Sequence, residues 1–303
     1  MAMITAEFTR AISKQIYQPA VRVKADKKHW DWEKLFSVKS SDSAYEQGFR
    51  HTGIGPAVVT GEMEPAYYGR MRELATETWT HSKYTLGSFV SKELMEDNRN
   101  LPEFIGNLGE MVGEGLSYIV DYTVAQHLNR AFNSSYALTY DGVELCGTHT
   151  LQKTPSTTVA NKMTSSSINY DSIWLAINYY EYQLYTHEYL PMTATPKYLV
   201  YHPSQEKVVR KILETDGEPD TTDNNQNTLL KYGLRPLPCR FLTSTYWFLT
   251  SDQIQRDALF YWRVRQETTE DKDFDRDAMK FKSRIRFSSK FADWFSILGN
   301  SGT

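Results

Sequence analysis

The chain has 303 residues, of which 40% are hydrophobic and 14% aromatic, enough to build a sizeable core. Its 34 lysines and arginines face 37 aspartates and glutamates, whereas a protein that grips nucleic-acid phosphates is usually basic. Two cysteines give no disulfide framework, the stretch 1–17 is mixed polar rather than signal-like, and no run of about 18 apolar residues exists. These features predict a soluble intracellular protein of one large domain or two intimate ones.

Residues 1–50 are predicted to form an arm rather than a folded unit. Within it, the spacing of Phe8, Ile12 and Ile16 predicts a short amphipathic helix over residues 4–16. The part after Pro19 is polar with scattered aromatic residues and shows no sustained period. Because it holds too few regularly spaced apolar residues for a core of its own, we expect it to lie along another surface.

Residues 51–99 change character and begin with a series of glycine and proline turn signals. Residues 69–77 are predicted to be helical or part of an extended excursion. The following TWTHSKYTL, residues 78–86, alternates in the manner of a weakly polarised strand. This pattern predicts a long hairpin that lacks its own core and leads directly into a helix. Gly87 is expected to mark a kink or a bulge.

The longest predicted helix covers residues 100–133, about 50 Å at 1.5 Å per residue. Asn100 is its predicted N-cap, with Glu103 in capping-box position and Pro102 in the first turn. One buried face is predicted to comprise Ile105, Leu108, Val112, Leu116, Ile119, Val124, Leu128 and Ala131. A second apolar line beside it comprises Phe104, Met111, Tyr118, Tyr122 and Phe132. Two faces of this helix therefore need partners.

Four glycines weaken the first half of this helix, at about 0.8–1.0 kcal/mol each relative to alanine. They are Gly106, Gly109, Gly113 and Gly115. Two interpretations stay open: either the helix begins only near Glu110, or it is a long helix that bends or is approached closely by another chain.

The remaining chain mixes helices and strands without βαβ regularity, which predicts an α+β fold. An Asp141-Gly142 turn predicts a local hairpin, and residues 153–169 a loop. A helix is expected to begin at Asp171 or Ser172, with Ile173, Trp174, Ile177, Tyr180 and Leu184 inward. A second helix opens at Pro203 with Val208, Val209, Ile212 and Leu213, and residues 216–227 are expected to be mobile. Strands are predicted over residues 197–202, 240–242, 246–250, 260–266 and 279–287.

The last strand has the clearest pattern, with Met279, Phe281, Ile285 and Phe287 alternating with Lys280, Lys282, Arg284 and Arg286. This cationic face is interpreted as solvated or as meeting an acidic neighbour, with nucleic-acid binding as a weaker alternative.

Residues that carry chemistry do not form a recognisable constellation. Cys146 and His149 have the spacing of half a zinc site, but no second Cys/His pair completes it. Glu62 and Glu64 are interpreted as solvated loop charges rather than a paired-carboxylate site. His187 and Glu188 lack the HExxH pattern, and Gly53 and Gly55 lack the third glycine of a nucleotide fingerprint. We predict no catalytic, cofactor-binding or metal residue and no cofactor.

Four stretches in this order resemble one family. They are THSKYTLGSFVSKELMEDN (80–98), YDGVELCGTHTL (140–151), TYWFLTSDQ (245–253) and the acidic-then-basic ending over residues 265–302. Together with an arm, an extended hairpin and a long helix, they resemble the major capsid protein of tailed bacteriophages, which has the HK97 fold. Their local sequence resembles that of Mu-like heads. The resemblance covers the chain from about residue 40.

The resemblance implies a shell subunit with four parts. Residues 1–50 form an N-terminal arm that lies under or across neighbours, and residues 51–99 an extended loop that reaches over an adjacent subunit. Residues 100–170 and 259–303 form a peripheral domain with the spine helix 100–133. Residues 171–258 form an axial domain that meets its copies at the centres of hexamers and pentamers. Arm and loop are then aromatic but coreless because their core is another chain.

The resemblance also implies partners and a location. The subunit self-assembles into an icosahedral or prolate head that encloses double-stranded DNA, which the near-neutral chain contacts weakly and non-specifically. A separate or previously removed scaffold is expected, along with a portal, possibly a decoration protein, and no membrane. The location is the virion, after assembly in the bacterial host cytoplasm. Lys83 and Lys92 lie in the segment where some relatives form an isopeptide crosslink, but nothing in the sequence selects either.

Two alternatives remain at this stage: an encapsulin-type nanocompartment shell, and a carboxylate-dependent hydrolase using Glu62, Glu64 or His149. If the chain is a capsid subunit, deletion of residues 52–83 is expected to leave a folded core that does not form shells. Ile119→Asp is expected to destroy folding, because a buried unpaired carboxylate costs several kcal/mol.

Overall fold

The structure is a computed structural model that describes residues 29–97, 100–136, 139–151, 157–219, 225–243 and 245–303. The strands are β1 (Ser37–Ser40), β2 (Tyr45–His51), β3 (Glu73–Thr80), β4 (Ser82–Ser91), β5 (Thr148–Thr150), β6 (Thr158–Ala160), β7 (Pro196–Tyr201), β8 (Arg235–Pro238), β9 (Trp247–Ser251), β10 (Ala258–Asp273), β11 (Ala278–Phe291) and β12 (Ile297–Asn300). The helices are α1 (Lys92–Asp97), α2 (Leu101–Asn129), α3 (Tyr170–Tyr182), α4 (Glu206–Glu214) and α5 (Ile254–Asp257).

One four-stranded sheet, in the order β12-β9-β7-β8, lies between two hydrophobic cores. Phe248 of β9 belongs to the core that also holds α2, whereas Trp247 and Leu249 face the core that holds α3 and α4. Because successive side chains of a strand point to opposite faces, a sheet covered on both sides needs almost continuous apolar residues. This explains why every residue of β9 is buried.

Buried Asn161 ties this sheet to the chain around residue 146. Its Oδ1 accepts a hydrogen bond from the Gly147 amide at 2.9 Å, and its Nδ2 donates to the carbonyls of Leu145 at 2.7 Å and Ile297 at 3.1 Å. One amide side chain thus satisfies three backbone groups that would otherwise lose hydration in the interior.

The second four-stranded sheet has the order β1-β10-β11-β4 and carries α2 on one face. Here β10 and β11 form the long antiparallel pair, with bulges near Val264. The alternation predicted for the last strand is confirmed, since Met279, Phe281, Ile285 and Phe287 are all buried. The predicted strand over 260–266 is also confirmed, although β10 is longer than predicted.

The long helix predicted over residues 100–133 is confirmed as α2, although it ends at Asn129. It runs unbroken through all four glycines, so a start near Glu110 is wrong. At Gly115, a Cβ atom would lie 2.5 Å from Cδ2 of Leu86 on β4, so this glycine permits close approach within the same chain. Asn100 occupies the N-cap, but its side chain makes no capping hydrogen bond, so the capping box is wrong.

Burial on α2 follows most of the predicted face, but Leu108 and Ile119 are only partly buried and Val120 and Ala125 are added to the core. Val124, Leu128 and the neighbouring Ala125 are fully buried, and Val120 joins the core although it was not predicted to do so. Ile119 is only partly buried against that core, so it was the wrong position for a decisive buried-charge test. The reason is that a helix has 3.6 residues per turn. A face predicted from steps of three or four residues therefore rotates gradually around the helix axis relative to the face that is actually buried.

The part of the arm that the structure describes packs on the chain's own core. Trp30, Trp32, Leu35 and Phe36 are buried in the core that holds α2, and β1 runs parallel to β10. The expectation that the arm's core lies in another chain is therefore wrong for residues 30–36. The predicted helix over residues 4–16 lies outside the described residues.

The predicted hairpin exists, but with different arms. It consists of antiparallel β2 and β3 joined by residues 52–72, while β4 belongs to the sheet with β11. The predicted helical option over residues 69–77 is wrong because Glu73–Thr80 is a strand. Register with β11 continues through Gly87, so the predicted kink or bulge is wrong. A Cβ there would lie 2.6 Å from the Phe281 carbonyl oxygen, which explains the glycine.

Several local predictions need correction. Gly142 has a positive φ of 73° and makes the expected turn. The short hairpin, however, forms between β5 and β6, and β6 interrupts the predicted loop over residues 153–169.

Helix α3 begins earlier than predicted because Asn169 and Ser172 cap it reciprocally. Trp174, predicted inward, is exposed. In the segment 216–227, residues 220–224 lie outside the described part, and its mobility stays a prediction.

The strand predicted over residues 240–242 is wrong: the chain turns there, and the strand is β8, Arg235–Pro238. This strand contains two prolines, which cannot donate backbone hydrogen bonds to a neighbouring strand. They are tolerated because β8 lies at the edge of its sheet, where one side of the backbone needs no strand partner. The predicted strands over 197–202 and 246–250 are confirmed as β7 and β9.

Candidate assembly surfaces

The β2–β3 hairpin carries the largest collection of exposed apolar side chains along the described chain. Val59 is 98% exposed and Met63 fully exposed. Residues 52–72 between the strands contain no regular element beyond one turn. Exposed large hydrophobic residues from this region are Tyr45, Phe49, Ile54, Val58, Val59, Met63, Tyr67, Tyr68 and Met71. So many exposed apolar side chains in one segment are typical of a contact site rather than a solvated loop.

The base of the hairpin is anchored in the body by Trp79. Its ring is almost completely buried, packs edge-on against Tyr261, and lies so close to Gly48 that a Cβ there would be 2.8 Å from its Cζ3. Beside it, buried Glu77 pairs with Lys290 of β11. The hairpin therefore projects from a fixed root.

His81, just after β3, links three segments. Its Nε2 lies 3.0 Å from Oγ of Ser41, and its Nδ1 lies 3.0 Å from Oγ of Ser288. Burial, with the nearby charge of Arg286, lowers the pKa of His81. A neutral ring suits this position, because it can donate to one hydroxyl and accept from the other.

A cavity of about 400 Å³ separates the hairpin root from the body. Arg50 of β2 spans its edge and donates from Nη2 to the buried Asp257 carboxylate at 3.2 Å. Burial, together with the neighbouring Asp257, raises the pKa of Asp293 in the same cavity wall. On the other wall, the Glu188 carboxylate accepts a hydrogen bond from the Gly53 amide. Charged contacts thus set the direction in which the hairpin leaves.

The root of the arm is anchored on α2 by Asp121. Its Oδ2 accepts from the His29 amide at 3.0 Å and lies 2.9 Å from His29 Nδ1, and its Oδ1 accepts from the Trp32 indole at 2.7 Å. Burial raises the pKa of Asp121, while the bonds from His29 and Trp32 oppose that shift. His29, the first described residue of the arm, is therefore held at a defined point on this helix.

The second apolar line predicted on the long helix is exposed over most of its length. Met111 is 68% exposed, and Phe104, Tyr118 and Tyr122 are also exposed. Tyr118 and Tyr122 stack on each other, and Phe241 packs edge-on against both. We call Phe104, Met111, Tyr118 and Tyr122 the outer line of α2.

The cationic face of β11 meets acidic residues of β10. Arg284 pairs with Glu267 at 2.6 Å, and Lys280 pairs with Asp273. This confirms the acidic-neighbour interpretation for these two cations. The pairs are solvent-exposed, so they contribute little to stability and leave no continuous phosphate-binding stripe.

The residues considered for chemistry are not brought together. His149 is completely buried, stacks on Trp294 and pairs with Asp141 at 2.6 Å, whereas Glu62 and Glu64 lie exposed at the hairpin tip. His187 is buried with its Nε2 2.7 Å from the Tyr140 hydroxyl. Burial raises the pKa of the Cys146 thiol far above its usual range.

Neither metal binding nor membrane insertion finds support in the described residues. Across these parts of the chain, no group of three or more His, Cys, Asp or Glu side chains is placed to hold a metal ion. None of the helices described is long and apolar enough to cross a bilayer.

Comparison with known proteins gives a consistent result. A family model described as "Phage capsid protein" matches residues 75–300. The fold is similar to that of the cyanophage P-SCSP1u capsid, with a TM-score of 0.61 and 10% identity over 91% of this chain and 89% of that one. It also resembles a structure from Microbacterium phage Oxtober96, with a TM-score of 0.58 and 10% identity over 89% and 90%.

A third similar structure is the "Capsid of native GTA particle computed with C5 symmetry". Its TM-score is 0.56, and its identity of 12% extends over 89% of each chain. No curated protein sequence matches the chain. At identities this low, the structural similarity concerns the fold.

Proposed function

The chain belongs to the phage capsid protein family, and we propose that its copies associate as hexamers and pentamers into a head shell around double-stranded DNA. As a member of this family it is a structural protein, a major capsid subunit with the α+β, HK97-type fold. No observation favours the nanocompartment or the hydrolase alternative. The proposal concerns how the subunits meet and what the shell contains.

The observation that carries the proposal is the exposed apolar tip of the β2–β3 hairpin. Val59 and Met63 have no cover within the described chain, although their root is fixed by Trp79 and Arg50. Burying such side chains contributes about 25 cal/mol per Å² of apolar area, so an adjacent subunit is the natural cover. We therefore assign residues 52–72 to the contact with a neighbour.

The four-part division remains part of this proposal. Residues 51–99 act as the extended loop and residues 1–50 as the arm, with the arm's root at residues 30–36 held in its own subunit. Residues 100–170 and 259–303 form the peripheral domain. Residues 171–258 form the axial domain, supported by the separate core that contains α3 and α4.

Further partners follow from the same role. A separate scaffolding protein, a portal and a decoration protein are expected partners, with assembly in the host cytoplasm. The net charge of −3 supports weak, non-specific contact with packaged DNA rather than tight binding.

The test replaces residues 53–71 by a Gly/Ser segment of the same length. Thr52 and Arg72 stay because the Thr52 amide donates to the Arg72 carbonyl at 2.8 Å, closing the hairpin. The earlier choice of residues 52–83 is unsuitable, because it removes all of β3 with the buried Glu77, Trp79 and His81. We expect an unchanged melting temperature and no shells by negative-stain electron microscopy.

The matched control is Glu62→Gln with Glu64→Gln, which changes charge at the same tip but keeps its apolar residues. The control should assemble like the parent chain. Normal shells from the Gly/Ser variant would overturn the role assigned to the tip. Failure of both variants would shift that role to the two carboxylates, which the Gly/Ser segment also lacks.

A further inference from the structure

The outer line of α2 has the geometry of a helix-docking surface. At about 100° per residue, Phe104, Met111, Tyr118 and Tyr122 fall within about 40° of one another. The line lies beside the buried face, so it borders the core but is not part of it. Spacings of seven and four residues are those of a seam that accepts another amphipathic helix.

The first described residue of the arm, His29, lies beside this line. His29 packs edge-on against Tyr118 at 5.9 Å between ring centroids, and its position is held by Asp121. His29 and Tyr118 line a shallow cavity of about 450 Å³ together with Met111, Glu114 and Gly115. The 28 residues that precede His29 therefore begin next to an exposed apolar surface.

The sequence of those residues matches the surface in length. Residues 4–16, with Phe8, Ile12 and Ile16 on one face, would make a helix of about 20 Å. Phe104 to Tyr118 spans about 21 Å at the same rise. The connecting residues 17–28 reach up to about 40 Å when extended, enough to return along the helix from His29.

The charges are also complementary. Residues 1–28 contain six cations against two acids, namely Arg10, Lys14, Arg22, Lys24, Lys27 and Lys28 against Glu7 and Asp26. Helix α2 contains no lysine or arginine, and Glu103 and Glu110 are exposed near its outer line. Opposite charges beside an apolar seam favour one docking orientation and one partner.

We propose that in the unassembled subunit residues 4–16 pack as a helix along the outer line of α2 of the same chain. This docking covers Met111 and Phe104 before neighbouring subunits are present. It differs from the role of the arm in shells, where contacts with neighbours are expected, and does not depend on shell formation.

The test is a disulfide scan in dilute, unassembled full-length protein. Met111→Cys is combined with single cysteines at positions 4 to 16, and Cys146 and Cys239 do not compete because both are completely buried. Intramolecular crosslinking under mild oxidation should peak at one of Phe8, Ile12 and Ile16, the one that docking brings opposite position 111, because successive members of this set lie about 6 Å apart along the helix. It should be at least about fivefold slower at Ser13, which is turned about 100° from Ile12. A flat profile, or disulfide-linked dimers instead of a faster-migrating monomer, overturns the proposal.

A second measurement needs no defined register. Met111→Cys is labelled with a maleimide, with and without Phe8→Asp and Ile12→Asp in the arm. Undocking the arm should raise the labelling rate about fivefold. The matched pair Ala6→Asp and Ser13→Asp, which lie about 120° and about 100° around the helix from Ile12, should leave the rate nearly unchanged. Equal rates in all three proteins contradict docking at the outer line.

Discussion

Strand β9 and the tip of the β2–β3 hairpin both contain large apolar residues, but these are buried in β9 and exposed at the tip. In β9, Trp247, Phe248 and Leu249 are buried on one side or the other by the chain's own helices. In the hairpin, Val59, Met63 and Tyr68 are exposed although they are equally apolar. The difference lies in the availability of a partner within the chain. The body's apolar residues fold the subunit, whereas those of the hairpin are the ones that we propose to contact a neighbouring subunit.

The largest effect should come from a charge placed in the body. Val124→Asp puts a carboxylate at a fully buried position of α2, within the hydrophobic core. We expect a loss of at least about 4 kcal/mol in the free energy of unfolding, because the charge loses its hydration. Urea denaturation followed by circular dichroism measures it.

The matched control adds the same carboxylate to an exposed position of the same helix. Asn107→Asp should change stability by no more than about 0.5 kcal/mol. Ile119→Asp should fall between the two, since Ile119 is partly exposed. Equal stability of all three variants would remove this face of α2 from the core.

A smaller effect should appear when the pH falls, and it too belongs to the body. Burial, with Arg130 and Lys290 nearby, lowers the pKa of His127 to about 4. Its Nε2 lies 2.9 Å from Oγ of Ser289, and its ring packs near Phe36 and Phe291. In the unfolded chain the ring titrates near pH 6.5, so between about pH 6.5 and about pH 4 the unfolded state binds the extra proton.

Stability should therefore fall over that pH range, and His127→Gln should remove about 2 kcal/mol of the fall. This is less than the full pKa shift implies, because the ring keeps some contact with solvent. Urea denaturation of both proteins at about pH 7 and about pH 4.5 measures the difference. Parallel pH dependences would show that His127 is equally protonated in the folded and unfolded states.

The smallest effect on stability should come from the hairpin tip. Val59→Ser with Met63→Ser should leave the free energy of unfolding within about 0.5 kcal/mol, because both residues are already exposed. Assembly should still fail or slow markedly, as followed by light scattering. A large loss of stability would mean that the tip packs on its own subunit, and the contrast with β9 would disappear.

Local sequence patterns determined much of this protein. The period of α2, the alternation of β11, the turn at Asp141 and the order of four characteristic stretches were all readable, and they led to the capsid fold. They could be read because periodicity depends only on neighbouring residues.

Only the tertiary structure decided which surfaces are covered. Both apolar lines of α2 looked alike in sequence, yet one is core and the other is exposed. Trp30 and Trp32 looked like part of a coreless arm, but Asp121, about ninety positions away, anchors them in the body. The prolines of β8 are tolerated only because β8 lies at the edge of its sheet, with β7 as its one strand neighbour. In each case the outcome depends on a partner distant along the chain, which local periodicity does not encode.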